Sequence, residues 1–488
     1  MLYRNKKKKD INAGKYIAPG GHMEPGETPR ECAMREVLEE TGLTLSDCTL
    51  RGVVHFFSPD DEEDMFIFTA TDFDGELIEC NEGELKWIEK DSIMDLNLWD
   101  GDREFLKLLL DDSRFFVMTL RYNAYGQLIM KREPMMLMID NAVDRIAAYL
   151  DPSVRKALVV TGRHSAKSTG ALDDIDTVLG QRLGVEYEVF DQVEENPSVE
   201  TIMAAAEMGK AFGADAVIGI GGGSPMDAAK AIALMLKNPD KGADYLYEAG
   251  NPCDHLPVIC IPTTCGTGSE ATAVSVLSRP DIKEKGSIPY RIWPILGLMD
   301  HKYLKKAPVS VIRNTAVDAL SHLMESYINT KASDLSRAYV MEGLRIWAGS
   351  KDALCGDREM TDTDYKNLLL ASTIAGMAIS STGTSIPHAL SYTLTIEAGF
   401  PHGAAVGYFL AGYMREAGEE GKKLLHAVGC EDAGELDRFI NRVCSFAPVS
   451  EEILTKAINK LMKKHERLAI CPYQVDEEML GAMATSEV

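Results

Sequence analysis

At 488 residues the chain has room for roughly three domains of about 150 residues each. Its 51 Lys and Arg against 75 Asp and Glu give a formal net charge of −24, which argues against nucleic acid or an anionic membrane as a bulk electrostatic partner. The 45% hydrophobic and 7% aromatic content is ordinary globular composition, and no apolar run is long enough to read as a spanning helix. The basic run Lys6–Lys9 reads as a solvated turn, because no apolar stretch follows it as in a secretory signal. None of the ten cysteines forms a C-x-x-C pair. Dispersed thiols in a long acidic chain point to a reducing, cytoplasmic setting and against a zinc knuckle.

In chain order, Met1–Arg4 reads as a strand, Arg30–Thr41 as an amphipathic helix, and Gly52–Phe57 and Met65–Thr69 as further strands. The polar stretch 131–134 offers a break. Beyond it the pattern alternates: Ala157–Thr161 as a strand, Leu172–Leu183 as a helix, Ala216–Ile220 as a buried strand and Ala228–Leu234 as a helix. That alternation implies a parallel sheet. From about Val311 almost every segment reads as helix: Asn314–Asn329, Leu335–Trp347, Tyr365–Ile379 and Glu451–Lys464. The expected division is therefore an α+β domain over 1–133, an α/β lobe over 134–309 and an all-α lobe over 310–488.

Within the first domain, Glu36, Glu39 and Glu40 fall at i, i+3 and i+4 of the helix and share one face. Three carboxylates there repel one another unless a cation sits among them, and hard oxygen ligands suit Mg²⁺ or Mn²⁺. Such an ion neutralises a diphosphate and helps activate water against it. Gly20, Gly21 and Gly26 allow tight loops beside the helix, and Gly42 stands where a C-cap is expected. The whole frame from Gly21 through Glu27 to Arg35-Glu36-Val37-Leu38-Glu39-Glu40-Thr41-Gly42-Leu43 resembles the Nudix box, in its nucleotide-sanitising, MutT-like form. The resemblance covers about residues 1–130. It implies that Glu36, Glu39 and Glu40 bind the metal, that Arg35 orients them, that Glu27 supports the loop, and that the substrate is a nucleoside diphosphate linked to a further group. An acidic residue outside the box often acts as base in that family, and Glu82 and Glu84 are the candidates. Domains of the family usually begin one strand earlier, and losing a core strand can take most of a domain's few-kcal/mol margin.

In the second part, the strand Ala216–Ile220 runs into Gly221-Gly222-Gly223-Ser224-Pro225-Met226-Asp227. Glycines let a diphosphate approach the backbone, and a helix N-terminus offers it free N–H groups. A second loop of small and hydroxyl residues, Thr263-Thr264-Cys265-Gly266-Thr267-Gly268-Ser269-Glu270, suits another cofactor wall. Asp318 and His322 lie four apart on a strong helix, and His388 and His402 follow fourteen apart. One carboxylate with three imidazoles suits a divalent transition metal. In order, Asn196-Pro197, the two glycine loops, Asp318/His322 and His388/His402 resemble the iron-containing (group III) alcohol dehydrogenases.

That resemblance implies a Rossmann-like dinucleotide lobe followed by an all-helical, dehydroquinate synthase-like lobe. Asp318, His322, His388 and His402 would ligate Fe²⁺ or Zn²⁺. Gly221, Gly222, Gly223, Ser224 and Asp227 would line the pyrophosphate of NAD(H) or NADP(H), with Thr263, Thr264, Thr267 and Lys285 further along the cofactor. Hydride would pass between an alcohol or aldehyde and the nicotinamide. A homodimer is the expected assembly.

Two positions depart from the family. Tyr392 stands where many members carry a further histidine. Gly162-Arg163 follows the first strand where NAD-preferring members often place an acid, so room and charge for a 2′-phosphate predict NADP(H) preference. Against the family pattern the second part also begins late and ends about twenty residues early. The leading expectation is a metal-dependent alcohol dehydrogenase behind a Nudix hydrolase. The alternatives are a working Nudix hydrolase on a dehydrogenase scaffold, and a fusion with neither activity.

Overall fold

The structure is a computed structural model that describes residues 1–7, 10–111, 113–131, 135–279 and 284–484. Lys8 and Lys9 of the basic run, and Arg132, Glu133 and Pro134 of the expected break, lie outside the described residues. The chain divides into two compact units, Met1–Ile139 and Asp140–Val488.

The first unit is α+β. Strand Thr49–Phe57 pairs antiparallel with Glu62–Thr69 and parallel with Phe115–Tyr122, which takes Leu128–Lys131 and Met135–Met138 as antiparallel partners. A smaller antiparallel sheet joins Tyr16–Ile17, Leu2–Arg4 and Gly83–Leu85. Leu50, Val53 and Val54 of one strand and Phe115, Phe116 and Val117 of another are buried in its core. The acidic helix spans Pro29–Thr41. Thr28 and Glu31 close a capping box at its start, and Gly42 ends it at φ 78°, the left-handed geometry glycine adopts without strain.

The second unit opens with a parallel sheet. Its strands run in the spatial order Glu186–Val193, Lys156–Gly162, Ala216–Gly221, Val258–Pro262 and Leu296–Met299. Numbered along the chain, that order is 2-1-3-4-5. It is a doubly wound order with its switch point between the first and third strands, where ligands bind in α/β sheets. The switch point puts Gly162 and the Gly221–Ser224 turn at the carboxyl ends of adjacent strands.

Two expected helices differ in detail. Leu172–Leu183 is an α-helical turn over Ala171–Ile175 that widens into a π-helix over Asp176–Leu183. Gly180 and Gly184 keep side chains out of the widened stretch. The helix after the glycine turn begins at Gly223, not at Ala228, and runs to Lys237. Pro225 fits its first turn, where a missing N–H costs nothing.

The rest of the unit is helical, including Val309–Tyr327, Asp334–Ala348, Asp362–Thr382, Ile386–Glu397, His402–Glu416 and Glu451–Met462. No single helix among the described residues is long and apolar enough to cross a membrane.

Candidate functional site

Helix Val309–Tyr327 carries both Asp318 and His322 on one face, while His388 sits in the first turn of Ile386–Glu397 and His402 opens His402–Glu416. Three elements therefore converge on one carboxylate. Asp318 Oδ1 lies 3.4 Å from His388 Nε2, 3.7 Å from His402 Nε2 and 4.0 Å from His322 Nε2. Asp318, His322 and His388 are 3%, 5% and 3% exposed. Their ligand atoms all lie within 4.8 Å of one another, a spacing His402 does not share with the full set. His402 nevertheless aims Nε2 at the same oxygen, and its side chain is 23% exposed.

The polar atoms inside the cluster are not satisfied by the protein. Asp318 Oδ1 and His388 Nε2 are buried without a hydrogen-bond partner. Leaving such groups dry and unpaired is costly, so the donor set fits an ion that would use them. Despite burial, the surrounding imidazoles hold Asp318 well below the usual carboxylate range. Burial pushes His402 down to about 3 and lowers His322 as well. Against its own burial, the Glu325 and Asp318 carboxylates push His388 up to about 9, so a divalent transition metal, which suits this carboxylate-and-imidazole donor set, would displace the His388 proton on binding.

The outer contacts orient these ligands. His322 Nδ1 faces the Gly266 carbonyl at 3.2 Å. His388 Nδ1 lies 2.5 Å from Glu325 Oε1, and the other oxygen of that carboxylate accepts the Ser385 N–H at 2.6 Å. Glu325 is fully buried, and sequence reasoning missed it; the available signal was an acid three residues after His322 in an otherwise apolar helix.

The two glycine loops face each other beside this cluster. A Cβ on Gly223 would sit 2.7 Å from Thr267, and one on Gly266 would sit 3.1 Å from Asp318 Oδ2. Ser224 Oγ accepts the N–H of Asn196, which sits at φ 60°. The Thr263 N–H donates to the Gly221 carbonyl, while its Oγ1 is buried with no partner. Thr264 lines Gly222, whose Cβ would lie 3.3 Å from its hydroxyl. Asp227 braces the loops, its carboxylate accepting from Ser269 Oγ at 2.5 Å and the Val276 N–H at 3.0 Å.

Lys230, also missed from sequence, is fully buried and donates to the Ser269 carbonyl, Ser269 Oγ, Thr272 Oγ1 and the Val274 carbonyl. It locks the phosphate helix to the second loop. Lys285 donates to Asn196 Oδ1 and lies over the Tyr392 ring, 5.4 Å from its centroid. Tyr392 in turn stacks on His402 with ring planes 9° apart. Gly162 ends its strand where a Cβ would meet the Val193 carbonyl oxygen at 3.4 Å, an ordinary contact, and Arg163 is exposed beside it.

In the first unit, Arg35 gathers the glutamates. Its guanidinium donates to both Glu27 oxygens at 2.8 and 3.0 Å, to Glu36 at 2.7 Å and to Glu39 at 3.4 Å. Glu40 accepts the Gly20 N–H at 3.1 Å, and burial raises its carboxyl. A Cβ on Gly21 would lie 2.4 Å from Glu36 Oε1, so a larger residue there would push the Glu36 carboxylate out of its place. The carboxylates of Glu36, Glu39 and Glu40 lie along one helix face; among the described residues, only the Asp318 cluster gathers its ligand atoms within 4.8 Å. Glu82 pairs with Arg4 and Lys7, and Glu84 with Asn5 and Lys86. Both candidate bases are thus engaged away from Arg35.

Comparison with known proteins matches three stretches of the chain. Residues 134–301 match the family model for iron-containing alcohol dehydrogenase, residues 312–486 that for the Fe-containing alcohol dehydrogenase family C-terminal region, and residues 1–109 that for the NUDIX domain. The long-chain primary alcohol dehydrogenase of Thermoanaerobacter ethanolicus is 33% identical over 275 residues, 56% of this chain and 68% of that protein. The NADPH-dependent butanol dehydrogenase of Clostridium saccharobutylicum is 31% identical over 264 residues, 52% of this chain and 66% of that protein. The chain thus spans about two thirds of the length of these curated relatives. A crystal structure of an iron-containing alcohol dehydrogenase from Thermotoga maritima superposes with a TM-score of 0.64 at 34% identity, covering 70% of this chain and 94% of that one.

Proposed function

The chain belongs to the iron-containing alcohol dehydrogenase family and carries a Nudix domain ahead of it, and on that premise we propose two activities: a metal-dependent NAD(P)(H) alcohol dehydrogenase or aldehyde reductase, and a Mg²⁺- or Mn²⁺-dependent nucleotide pyrophosphohydrolase. The observation that carries the first is the buried, unpaired Asp318 Oδ1 surrounded by three imidazoles next to the Gly266 loop.

Asp318, His322, His388 and His402 would hold the ion. A bound divalent cation supplies Lewis-acid chemistry to an alcohol or carbonyl oxygen, and a nicotinamide cofactor supplies the hydride chemistry. The N-terminus of Gly223–Lys237 offers backbone N–H groups for a pyrophosphate, with Ser224 at its first turn and Thr264 and Thr267 on the facing wall. Tyr392 closes the site behind His402 with an aromatic ring where many family members have a histidine. At a nitrogen-rich site Zn²⁺ binds more tightly than Fe²⁺, so availability sets the occupant. The absence of an acidic side chain at Gly162 and the exposed Arg163 support NADP(H) preference, which turnover with the two cofactors at equal concentration checks; clear preference for NAD(H) sinks it.

For the first unit, Glu36, Glu39 and Glu40 would bind Mg²⁺ or Mn²⁺, with Arg35 and Glu27 holding the turn. The substrate class is a nucleoside diphosphate carrying a further group. The ten free thiols fit a reducing cytoplasm. Two assays on the full chain test the reading: alcohol-dependent NADP⁺ reduction after loading with Fe²⁺ or Zn²⁺, and Mg²⁺-dependent phosphate release from a nucleotide panel. Hydrolysis without any dehydrogenase turnover would make the second unit a scaffold.

A further inference from the structure

We infer that Glu325 is a positioning residue of the Asp318 centre, fixing both the ring orientation and the tautomer of His388 so that its Nε2 is offered to a divalent cation. The inference rests on reading the cluster as a metal centre. Glu325 lies seven residues after Asp318 and three after His322 on the same helix, so the three side chains rise along one face. Its carboxylate is engaged at both oxygens by one neighbouring turn. Oε1 meets His388 Nδ1 at 2.5 Å and Oε2 accepts the Ser385 N–H at 2.6 Å. Ser385 immediately precedes helix Ile386–Glu397, so a single carboxylate ties the backbone at the start of that helix and the side chain in its first turn.

An ionised acid can only accept, so the shared hydrogen is assigned to Nδ1. Nε2 is then the atom left for a cation, which displaces any proton it carries. It is also the atom 3.4 Å from Asp318 Oδ1 that finds no hydrogen-bond partner. A carboxylate at 0% exposure is expensive, and both of its contacts are spent within the one turn that carries a ligand. What the pair does is remove the ring's freedom to rotate or switch tautomer before an ion arrives.

The test titrates the metal-stripped full-length protein with Co²⁺ against a chromophoric chelator. The visible d–d band distinguishes nitrogen-bearing, low-coordinate ion from ion held by oxygens alone. Glu325→Leu keeps the bulk but removes both acceptors. Glu325→Gln keeps an acceptor for the His388 N–H while setting its amide against Ser385. Glu325→Leu is expected to weaken Co²⁺ binding roughly 10- to 100-fold and shift the band, with Glu325→Gln recovering part of the loss. Unfolding of the metal-free proteins is measured alongside, because a purely structural role moves that transition and leaves the affinity of the folded protein alone. If Glu325→Leu does not fold, Glu325→Gln carries the test. Wild-type affinity and spectrum in the folded variant overturn the inference. Asp318→Asn is the control for the underlying reading: if it too binds Co²⁺ with an unchanged band, the metal centre itself is wrong, not the role of Glu325.

Discussion

Asp318, His322 and His388 are all but sealed from solvent with their ligand atoms within 4.8 Å, whereas the side chain of Glu39 is 60% exposed on a helix face where Arg35 bonds Glu27, Glu36 and Glu39. The first arrangement has met its desolvation cost during folding and stands assembled, with mixed nitrogen and oxygen donors. The second is solvated, made of oxygens alone, and bridged by a cation of its own, Arg35. Preassembled nitrogen-bearing sites suit tightly held transition metals, while carboxylates that keep their water suit Mg²⁺, which dehydrates reluctantly and is shared with substrate phosphates. On the proposed reading, one chain would hold a resident ion in one unit and an exchanging ion in the other.

The sharpest way to break that contrast is at Asp318. Asp318→Asn takes away the anionic centre on which three imidazoles converge. Wild-type protein should keep about one equivalent of Zn²⁺ or Fe²⁺ through gel filtration. The variant should lose it, together with roughly 1000-fold or more of alcohol-dependent NADP⁺ reduction, since metal stabilisation of charge is worth several kcal/mol. Nucleotide hydrolysis should not change. A variant that retains the ion would show that the buried cluster is not the resident site.

At the other pole, Glu39→Gln should cost about 100-fold in Mg²⁺-dependent hydrolysis, and raising Mg²⁺ should restore part of it. An exchanging site responds to concentration in this way and a sealed one does not. A loss that no Mg²⁺ concentration relieves would move this centre into the resident class. Gly162→Asp is a smaller change on the cofactor side of the buried centre. The nearest atom to the new Cβ is the Val193 carbonyl oxygen at 3.4 Å, so the side chain fits, and its charge opposes a 2′-phosphate. The ratio of NADP(H) to NAD(H) turnover should fall about tenfold, one 1.4 kcal/mol step.

The two centres were not equally legible. The acidic helix was legible from Arg30 to the glycine that ends it, because spacing, charge and the C-cap are local properties, while its start at Pro29 and the Thr28 capping box came only from the structure. The four ligands Asp318, His322, His388 and His402 could be named from motif order, but their convergence depends on three helices meeting, which spacing alone does not encode. Glu325 and Lys230 were invisible for the same reason: each owes its meaning to a partner 63 or 39 residues away. The start of the phosphate helix was placed late, since glycine and proline in Gly223–Pro225 weigh against helix until the sheet behind them is in place. Glu82 and Glu84 were offered only because the resemblance often puts a base outside the box, and the structure spends both on lysine, arginine and asparagine partners.

The mildest test asks whether the exposed centre depends on its own internal ion pair. The Arg35 guanidinium, bonded to both oxygens of Glu27, pulls that carboxyl down to about 2 from the ordinary 4.5. Because the folded value is depressed, the stabilisation is fully present above pH 4.5 and disappears as pH falls from there toward 2. Glu27→Gln removes the charge but keeps the shape. At neutral pH it should destabilise the first unit by about 1 kcal/mol, a charge-assisted pair discounted for solvent screening. Below about pH 3 the difference should shrink as the wild-type carboxyl takes up its proton. Urea unfolding followed across roughly pH 2–7 reads this directly, since the gap between wild type and variant must narrow on acidification. A gap that stays constant down to about pH 2 would mean that Glu27 acts through packing, and that Arg35 is held in place by Glu36, Glu39 and the His22 carbonyl.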